Sequence, residues 1–439
     1  MLPHDSSSPR PGEDSASATI AVIGIGAEGW QGLASGVTAL IKQATVVIGS
    51  RRQLDLLPDT VAAERVPWPS PLRPAVRELL DRHRSRGLVV LASGDPMFFG
   101  IGRALVEEIG AQNLYVVPHL SSVTLACARL GWPVEDVEVV SLVGRPLASL
   151  TAGLHDGRRL LVLSSDANTP DLVAGLLTDK GFGGSTMTVL EQLGGLAEAR
   201  RSGLALSWAD TPGGPCDDLN VVAVECVQSA GGSRLGLTPG LADTAYEHDG
   251  QLTKREVRAV TMSSLAPAPG ELLWDIGGGA GSIAIEWMRA HRTCRAICVE
   301  SNPERAARIG RNAEALGVPG LEVVTGTAPG VLADLPTPDA IFIGGGLTVE
   351  AMLDVAWAEL KSGGRLVANT VTLESEALLA QWYARHGGEL IRIAISQAQP
   401  VGGFTGWRPA RSVTQWSVVK SPNTQAPEHP NTQAAEADS

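Results

Sequence analysis

Short apolar runs recur along the chain, each stopped by glycine, proline or a small polar residue, and most are followed by apolar positions at helical spacing. In the first half they are Thr19-Ile-Ala-Val-Ile, Val46-Val-Ile, Leu88-Val-Val-Leu and Leu114-Tyr-Val-Val, then Arg159-Leu-Leu-Val-Leu and Thr186-Met-Thr-Val-Leu-Glu. The second half has Leu272-Leu-Trp, Arg295-Ala-Ile-Cys-Val-Glu, Leu321-Glu-Val-Val, Asp339-Ala-Ile-Phe-Ile and Gly364-Arg-Leu-Val-Ala. Consecutive rather than alternate apolar positions predict strands buried on both faces, and strands alternating with helices predict the α/β class. Helices are predicted from about Gly100, through Leu125 and Leu130, over Asp171 to Leu177, along Val257, Val260 and Thr261, and from Ile283. Periodicity fails between Ser229 and Gly240, where turn residues cluster. The expected organisation is a first domain over 19–229, a linker over 230–240 and a second domain over 241–420. The ends, 1–18 and 421–439, are rich in Ser, Pro and acid and predict disordered tails.

The most informative stretch is Leu272-Leu-Trp-Asp-Ile-Gly-Gly-Gly-Ala-Gly-Ser: a strand, a glycine turn and the start of a helix. Its frame is D-x-G-x-G-x-G, not the G-x-G-x-x-G that sets a pyrophosphate on a helix N-terminus. Glycines allow close backbone approach, so an adenosyl group can lie across the turn without meeting a β-carbon. Glu300 ends the next strand, where a carboxylate can hold both ribose hydroxyls. Candidate cofactor contacts are therefore Asp275, Gly277, Gly279, Gly281 and Glu300, against the alternative of a glycine turn without ligand. This motif resembles the first motif of Rossmann-like S-adenosylmethionine methyltransferases. That resemblance places adenine at Gly326, Thr327 and Ala328, and implies a mostly parallel seven-stranded sheet closed by an antiparallel hairpin over Ile391 to Ser396 and Ser412 to Val419.

Around this motif lie weaker signals. Thr253 followed by Glu256 reads as a capping box; Thr253 is also a candidate cofactor contact, and Lys254 a candidate for the rim of the cleft. The fourth strand runs into Gly344, Gly345 and Gly346, where base-amino methyltransferases usually carry an Asn/Asp-Pro-Pro-aromatic turn. Three glycines are either a tight turn or a broad opening suited to a flat macrocycle. Asn369 and Glu374, after strand five, complete the candidate reaction face with Gly344 and Gly345, although Glu374 also reads as a helix N-terminal carboxylate. Arg408 and Arg411 are candidates to clamp substrate carboxylates, or simply charges that keep a hairpin soluble.

The first domain is similar to the tetrapyrrole methylase family through Val22-Ile-Gly-Ile-Gly, Ala92-Ser-Gly-Asp-Pro-Met, Pro118-His-Leu-Ser-Ser-Val and Leu219-Asn-Val-Val. The resemblance implies two α/β subdomains wrapping a folded S-adenosylmethionine, with contacts from Gly24, Gly26, Gly94, Asp95, Met97, Ser121 and Ser122. Judged alone, Asp95 reads first as a turn carboxylate bonded to its own backbone. Relatives often carry His where Val143 stands before Gly144-Arg145. Arg51, Arg52 and Arg145 are surface charges or grips for substrate carboxylates.

Composition narrows the function. A net charge of −12 opposes binding to nucleic acid or anionic membrane. Five scattered cysteines make no disulfide framework, and Cys294 and Cys298 read as small buried hydrophobes, so no metal is expected. No apolar segment follows a basic one at the N-terminus, and the cytoplasm is the expected location. Gln251-Leu-Thr-Lys-Arg-Glu-Val-Arg-Ala, Trp274-Asp-Ile-Gly, Pro338-Asp-Ala-Ile-Phe-Ile-Gly-Gly and Val367-Ala-Asn-Thr-Val-Thr-Leu-Glu make the second domain similar to the decarboxylating methylases of the corrin pathway. The two resemblances imply a bifunctional enzyme with one S-adenosylmethionine per domain. It would methylate carbons 5 and 15 of the precorrin-type tetrapyrrole precorrin-6Y and remove the ring C acetate carboxyl, giving precorrin-8. Further copies of the chain are its expected partners. The alternatives are a methyltransferase for another small molecule or for nucleic acid, a nicotinamide oxidoreductase, and a non-catalytic adenosyl-binding regulator.

Overall fold

The apolar runs become three separate sheets in the computed structural model, which describes residues 19–210, 216–231 and 234–421. Both expected tails, apart from Ser421, lie outside the described residues, as do two positions of the expected linker. The chain forms two compact units: residues up to Arg145 with Asp156–Ser229, and Pro146–His155 with everything from Ala230 onward.

In the first unit, β1 (Ile20–Ile25), β2 (Val46–Gly49), β3 (Glu64–Pro67), β4 (Leu88–Ser93) and β5 (Leu114–Val117) form an all-parallel sheet in the order β3-β2-β4-β1-β5. Ile20 and Val22 of β1 pack into one core, Ile23 and Ile25 into another on the opposite face. This double burial is why the run is apolar at consecutive positions. A second sheet joins β6 (Val137–Ser141), β7 (Arg159–Leu163), β8 (Thr186–Glu191), β9 (Ala199–Leu204) and β10 (Asn220–Glu225) in the order β6-β7-β10-β8-β9, antiparallel except for β6 and β7. The helix Ser122–Leu130 packs Val123, Ala126 and Cys127 on Leu161, Leu190, Val221 and Ala223 of that sheet.

The second unit is built on β11 (Leu272–Ile276), β12 (Arg295–Glu300), β13 (Glu322–Thr325), β14 (Ala340–Ile343), β15 (Arg365–Thr370), β16 (Glu389–Ile393) and β19 (Val413–Val419), with β17 (Ser396–Val401) and β18 (Phe404–Pro409) standing apart. The seven run in the order β13-β12-β11-β14-β15-β19-β16, parallel through β15, with β19 antiparallel to both of its neighbours. The closing antiparallel pair is therefore present, but Ser396 is not on it. Ser396 starts a separate two-stranded ribbon, β17 with β18, inserted between β16 and β19. Leu272, Trp274 and Ile276 face one core of the large sheet and Leu273 the other. The strand order reverses between β11 and β14, so the carboxyl ends of those strands border a crevice.

Candidate functional site

At the end of β11 the chain turns through Gly277–Gly281 into the helix Ser282–Ala290. Alternation along β11 puts Asp275 on the face of Leu273, under that helix, where it is only 1% exposed. Its Oδ2 accepts the Ala284 N–H at 3.0 Å. Burial pushes its carboxyl up to about 7, against the opposing pull of that N–H and of the Cys298 thiol. Asp275, expected among the cofactor contacts, is buried and fixes the start of the helix from below. Glu300, at the end of β12, accepts the Gly279 N–H through Oε2 and the Asn302 N–H through Oε1, both at 2.9 Å. It clamps the glycine turn to the neighbouring strand, and each oxygen keeps acceptor capacity.

The glycines serve packing more than was expected. A β-carbon at Gly278 would lie 2.1 Å from Cys298 Sγ, at Gly281 2.7 Å from Ile309 Cγ2, at Gly279 2.8 Å from the Gln251 carbonyl oxygen, and at Gly277 3.0 Å from the Gly345 nitrogen. Protein atoms, not a ligand, fill those places. By contrast, a β-carbon at Gly345 meets nothing within 4 Å, while at Gly344 it would meet the Phe342 ring at 2.9 Å. The opening at the end of β14 is thus concentrated at Gly345.

Gln251 belongs to a segment, Gly240 to Thr253, that lies over the turn and is tied down by two charges the sequence did not single out. Glu286 accepts the Gly240 N–H (2.7 Å), the Leu241 N–H (3.0 Å), the Tyr246 hydroxyl (3.0 Å) and Arg258 Nε (2.6 Å). Arg258 also donates to the Leu241 and Thr253 carbonyls and to Asp243 at 3.3 Å. Both side chains are buried. Asp243 takes the Arg255 N–H at 3.0 Å and Lys254 Nζ at 3.4 Å. This corrects the capping box. The helix Arg255–Leu265 has Lys254 at its N-cap without a side-chain cap, because Asp243 serves its first turn from outside, and Thr253 contributes a carbonyl. Lys254 is paired with Asp243.

Asn369 was expected on the reaction face. Its amide donates to Thr261 Oγ1 at 2.8 Å and accepts from Gln415 Nε2 at 2.9 Å, in a network that includes Ser264. Glu374 is exposed in the first turn of the helix Leu373–His386, which Thr372 caps. Gly326 donates its N–H to the Glu300 carbonyl at 3.0 Å, with Thr327 exposed and Ala328 buried beside it. Arg408 sits on the ribbon, exposed, 3.2 Å from Gln399, and Arg411 is exposed just beyond it. Cys294 and Cys298 are both free and buried.

In the first unit the ends of β1, β4 and β5 meet backbone to backbone. A β-carbon at Gly24 would lie 2.0 Å from the Gly94 oxygen and 2.7 Å from the His119 nitrogen. Asp95 forms the turn expected of it, its Oδ1 accepting the Met97 N–H at 2.8 Å. Ser121 caps the helix Ser122–Leu130, its hydroxyl accepting from Thr124. Met97, Phe98 and Phe99 are exposed, and the Arg145 guanidinium stands 5.4 Å from the Phe99 ring. Arg51 is exposed, whereas Arg52 donates to Ser93 Oγ at 2.7 Å and is pushed below its usual range by burial. The place of a β-carbon at Gly26 is taken by the Glu28 carboxylate, whose Oε1 lies 2.9 Å from His119 Nε2. Glu28 carries no signal of its own in the sequence, and His119 lies within Pro118-His-Leu-Ser-Ser-Val without being a candidate there.

Residues 19–204 match the family described as tetrapyrrole (corrin/porphyrin) methylases, and residues 244–420 that described as the precorrin methyltransferase domain. A precorrin-6Y C(5,15)-methyltransferase (decarboxylating) of Sinorhizobium sp. is 51% identical over 91% of this chain and 96% of its own length. The protein of that name from Mycobacterium tuberculosis strain H37Rv is 48% identical over 91% of this chain and all of its own. Among solved structures, the C-terminal domain of precorrin-6Y C5,15-methyltransferase from Rhodobacter capsulatus is 50% identical, covering 42% of this chain and 100% of that one, with a TM-score of 0.41. With identity of this order running through both units, the chain belongs to the family of decarboxylating precorrin-6Y C(5,15)-methyltransferases.

Proposed function

We propose that the protein is a bifunctional S-adenosylmethionine-dependent enzyme of cobalamin synthesis. It methylates carbons 5 and 15 of precorrin-6Y and releases the ring C acetate carboxyl as carbon dioxide, giving precorrin-8. The observation that carries this is the likeness to a decarboxylating precorrin-6Y methyltransferase, 51% identical over 91% of the chain. Carbon 15 and decarboxylation are assigned to the second unit and carbon 5 to the first, each with its own donor.

The residues of the second unit fit an adenosyl group: a glycine turn that is exposed at Gly277, acceptor capacity left on Glu300, and open space at Gly345. Gly277, Gly279, Gly281 and Glu300 would hold it, with Gly326, Thr327 and Ala328 on the adenine side and Asp275 holding the turn in shape. In the first unit Gly24, Gly26, Gly94, Asp95, Met97, Ser121 and Ser122 would do the same. The donor, when bound, supplies a methyl group already activated on a sulfonium. What remains for the chain is placement: in the second unit Gly345, beside Gly344, leaves room for a flat ring and Arg408 offers a cation to its carboxylates, and in the first unit Arg51 and Arg145 offer theirs. A reduced macrocycle is itself a carbon nucleophile, and orientation alone supplies up to about 7–11 kcal/mol of barrier lowering. Electrons left by decarboxylation pass into the conjugated ring. No helix among the described residues is long and apolar enough to cross a membrane, and we place the enzyme in the cytoplasm as a homo-oligomer.

The test is incubation with methyl-labelled S-adenosylmethionine and precorrin-6Y. Two methyl groups and one carbon dioxide per product are expected, and calorimetry of the full chain should count two donor equivalents. Absence of transfer, or transfer only to nucleic acid, overturns the reading.

A further inference from the structure

At the carboxyl edge of the first sheet, Glu28 and His119 form a hydrogen-bonded pair that none of the expected site residues explains. They arise from two different loops, after β1 and after β5, which meet where Gly24 packs against the His119 backbone. Glu28 Oε1 lies 2.9 Å from His119 Nε2, and the two side chains keep 27% and 18% of their exposure. The far atoms of the pair, Glu28 Oε2 and His119 Nδ1, are buried and have no hydrogen-bond partner. Space for the carboxylate exists only because position 26 is glycine, since a β-carbon there would fall 2.0 Å from Oε2. Gly32 and Gly194 also border it, at 2.1 Å from Cγ and 3.3 Å from Oε2 for their own added β-carbons.

A carboxylate only accepts hydrogen bonds, so the proton shared with Glu28 belongs to Nε2, and Nδ1 presents a lone pair. A histidine fixed in one tautomer by a carboxylate, with its other nitrogen buried and unpartnered, is a poised proton acceptor. We propose that His119, oriented by Glu28, is the base of the methyl transfer carried out by the first unit. This rests on the function proposed above. The bond formed joins the methyl carbon to a ring carbon, and the bond broken is that from methyl to sulfur, whose electrons stay on sulfur. The cationic macrocycle then loses a proton to His119 Nδ1, and Glu28 balances the charge of the imidazolium.

The experiment uses the full chain with precorrin-6Y and labelled donor, comparing wild type with His119→Ala, His119→Gln and Glu28→Gln. Loss of a general base lowers the rate constant of one of the two methyl transfers by roughly 10²- to 10⁴-fold. The expected pattern is a fall in kcat for that transfer, little change in KM, two donor equivalents still bound, and partial rescue of His119→Ala by added imidazole. Glu28→Gln, whose neutral amide cannot balance the charge of the imidazolium, should fall in the same transfer. The proposal is overturned if both His119 variants transfer both methyls at the wild-type rate. It is equally overturned if they lose a donor equivalent along with the methyl, or if imidazole restores nothing. Should wild type itself transfer no methyl to precorrin-6Y, the proposed function fails instead.

Discussion

Replacing Arg258 by Ala is the severest single change we expect in the second unit. The guanidinium is fully buried, 2.6 Å from Glu286, and it bonds two carbonyls and a second carboxylate on the segment that covers the glycine turn. Without it, Glu286 remains a buried anion that still takes two backbone N–H groups and a tyrosine hydroxyl but has no countercharge. Breaking a buried pair in this way costs about 3–5 kcal/mol. With roughly 2–4 °C of melting temperature per kcal/mol for a unit of this size, a fall on the order of 6–20 °C follows. The loss should concentrate in one place. Urea unfolding of the full chain with peptide-level hydrogen exchange should show peptides from Gly240 to Thr253 losing protection first, and the donor equivalent of the second unit weakening with them. Removing both charges, as in Arg258→Met with Glu286→Leu, should cost less than the sum of the single changes, because neither partner is left unmatched. A single variant within 1 kcal/mol of wild type, or a strictly additive pair, would refute the reasoning.

Three further outcomes are expected. Asp275 has its carboxyl raised to about 7 in the folded state, so its proton contributes stability that is complete below about pH 4, the unfolded value, and is lost as pH rises through 7; Asp275→Asn should flatten the melting temperature across that window, and an unchanged slope would remove the burial argument. Gly277 has φ +77°, and a β-carbon there would press on the Gly345 backbone, so Gly277→Ala should cost about 1–2 kcal/mol from backbone conformation alone and reduce calorimetric binding to one donor equivalent. Asn369→Ala strips partners from Thr261 and Gln415 and should cost about 1–3 kcal/mol in urea unfolding; carbon dioxide release per folded molecule should stay near wild type if Asn369 only holds the network together.

Most strands were legible because strands buried on both faces must be apolar at consecutive positions, as Ile20 to Ile23 and Leu272 to Trp274 are. The side chosen by Asp275 was legible too, in its alternation with Trp274 and Ile276, but the motif drew it toward the ligand. The Arg258–Glu286 pair was not. Its members are 28 residues apart, on helices where charges are usually solvated, and only packing shows that both face inward. The β17–β18 ribbon was missed for the opposite reason: Val401, Phe404 and Trp407 are apolar yet exposed, so their pattern records no core. The packing at Gly278 and Gly281 was not legible, because spacing cannot reveal that Cys298 and Ile309 come from other elements to meet them.

The stretch ahead of the large sheet belongs to its architecture. Arg289 Nη2 reaches the Leu235 and Gly236 carbonyls at 3.2 and 3.4 Å, and Glu286 holds the amides of Gly240 and Leu241. A gene encoding the second unit alone must therefore start upstream of Leu235. A start codon placed at the first recognisable motif would yield a polypeptide with two inward charges and no lid to satisfy them.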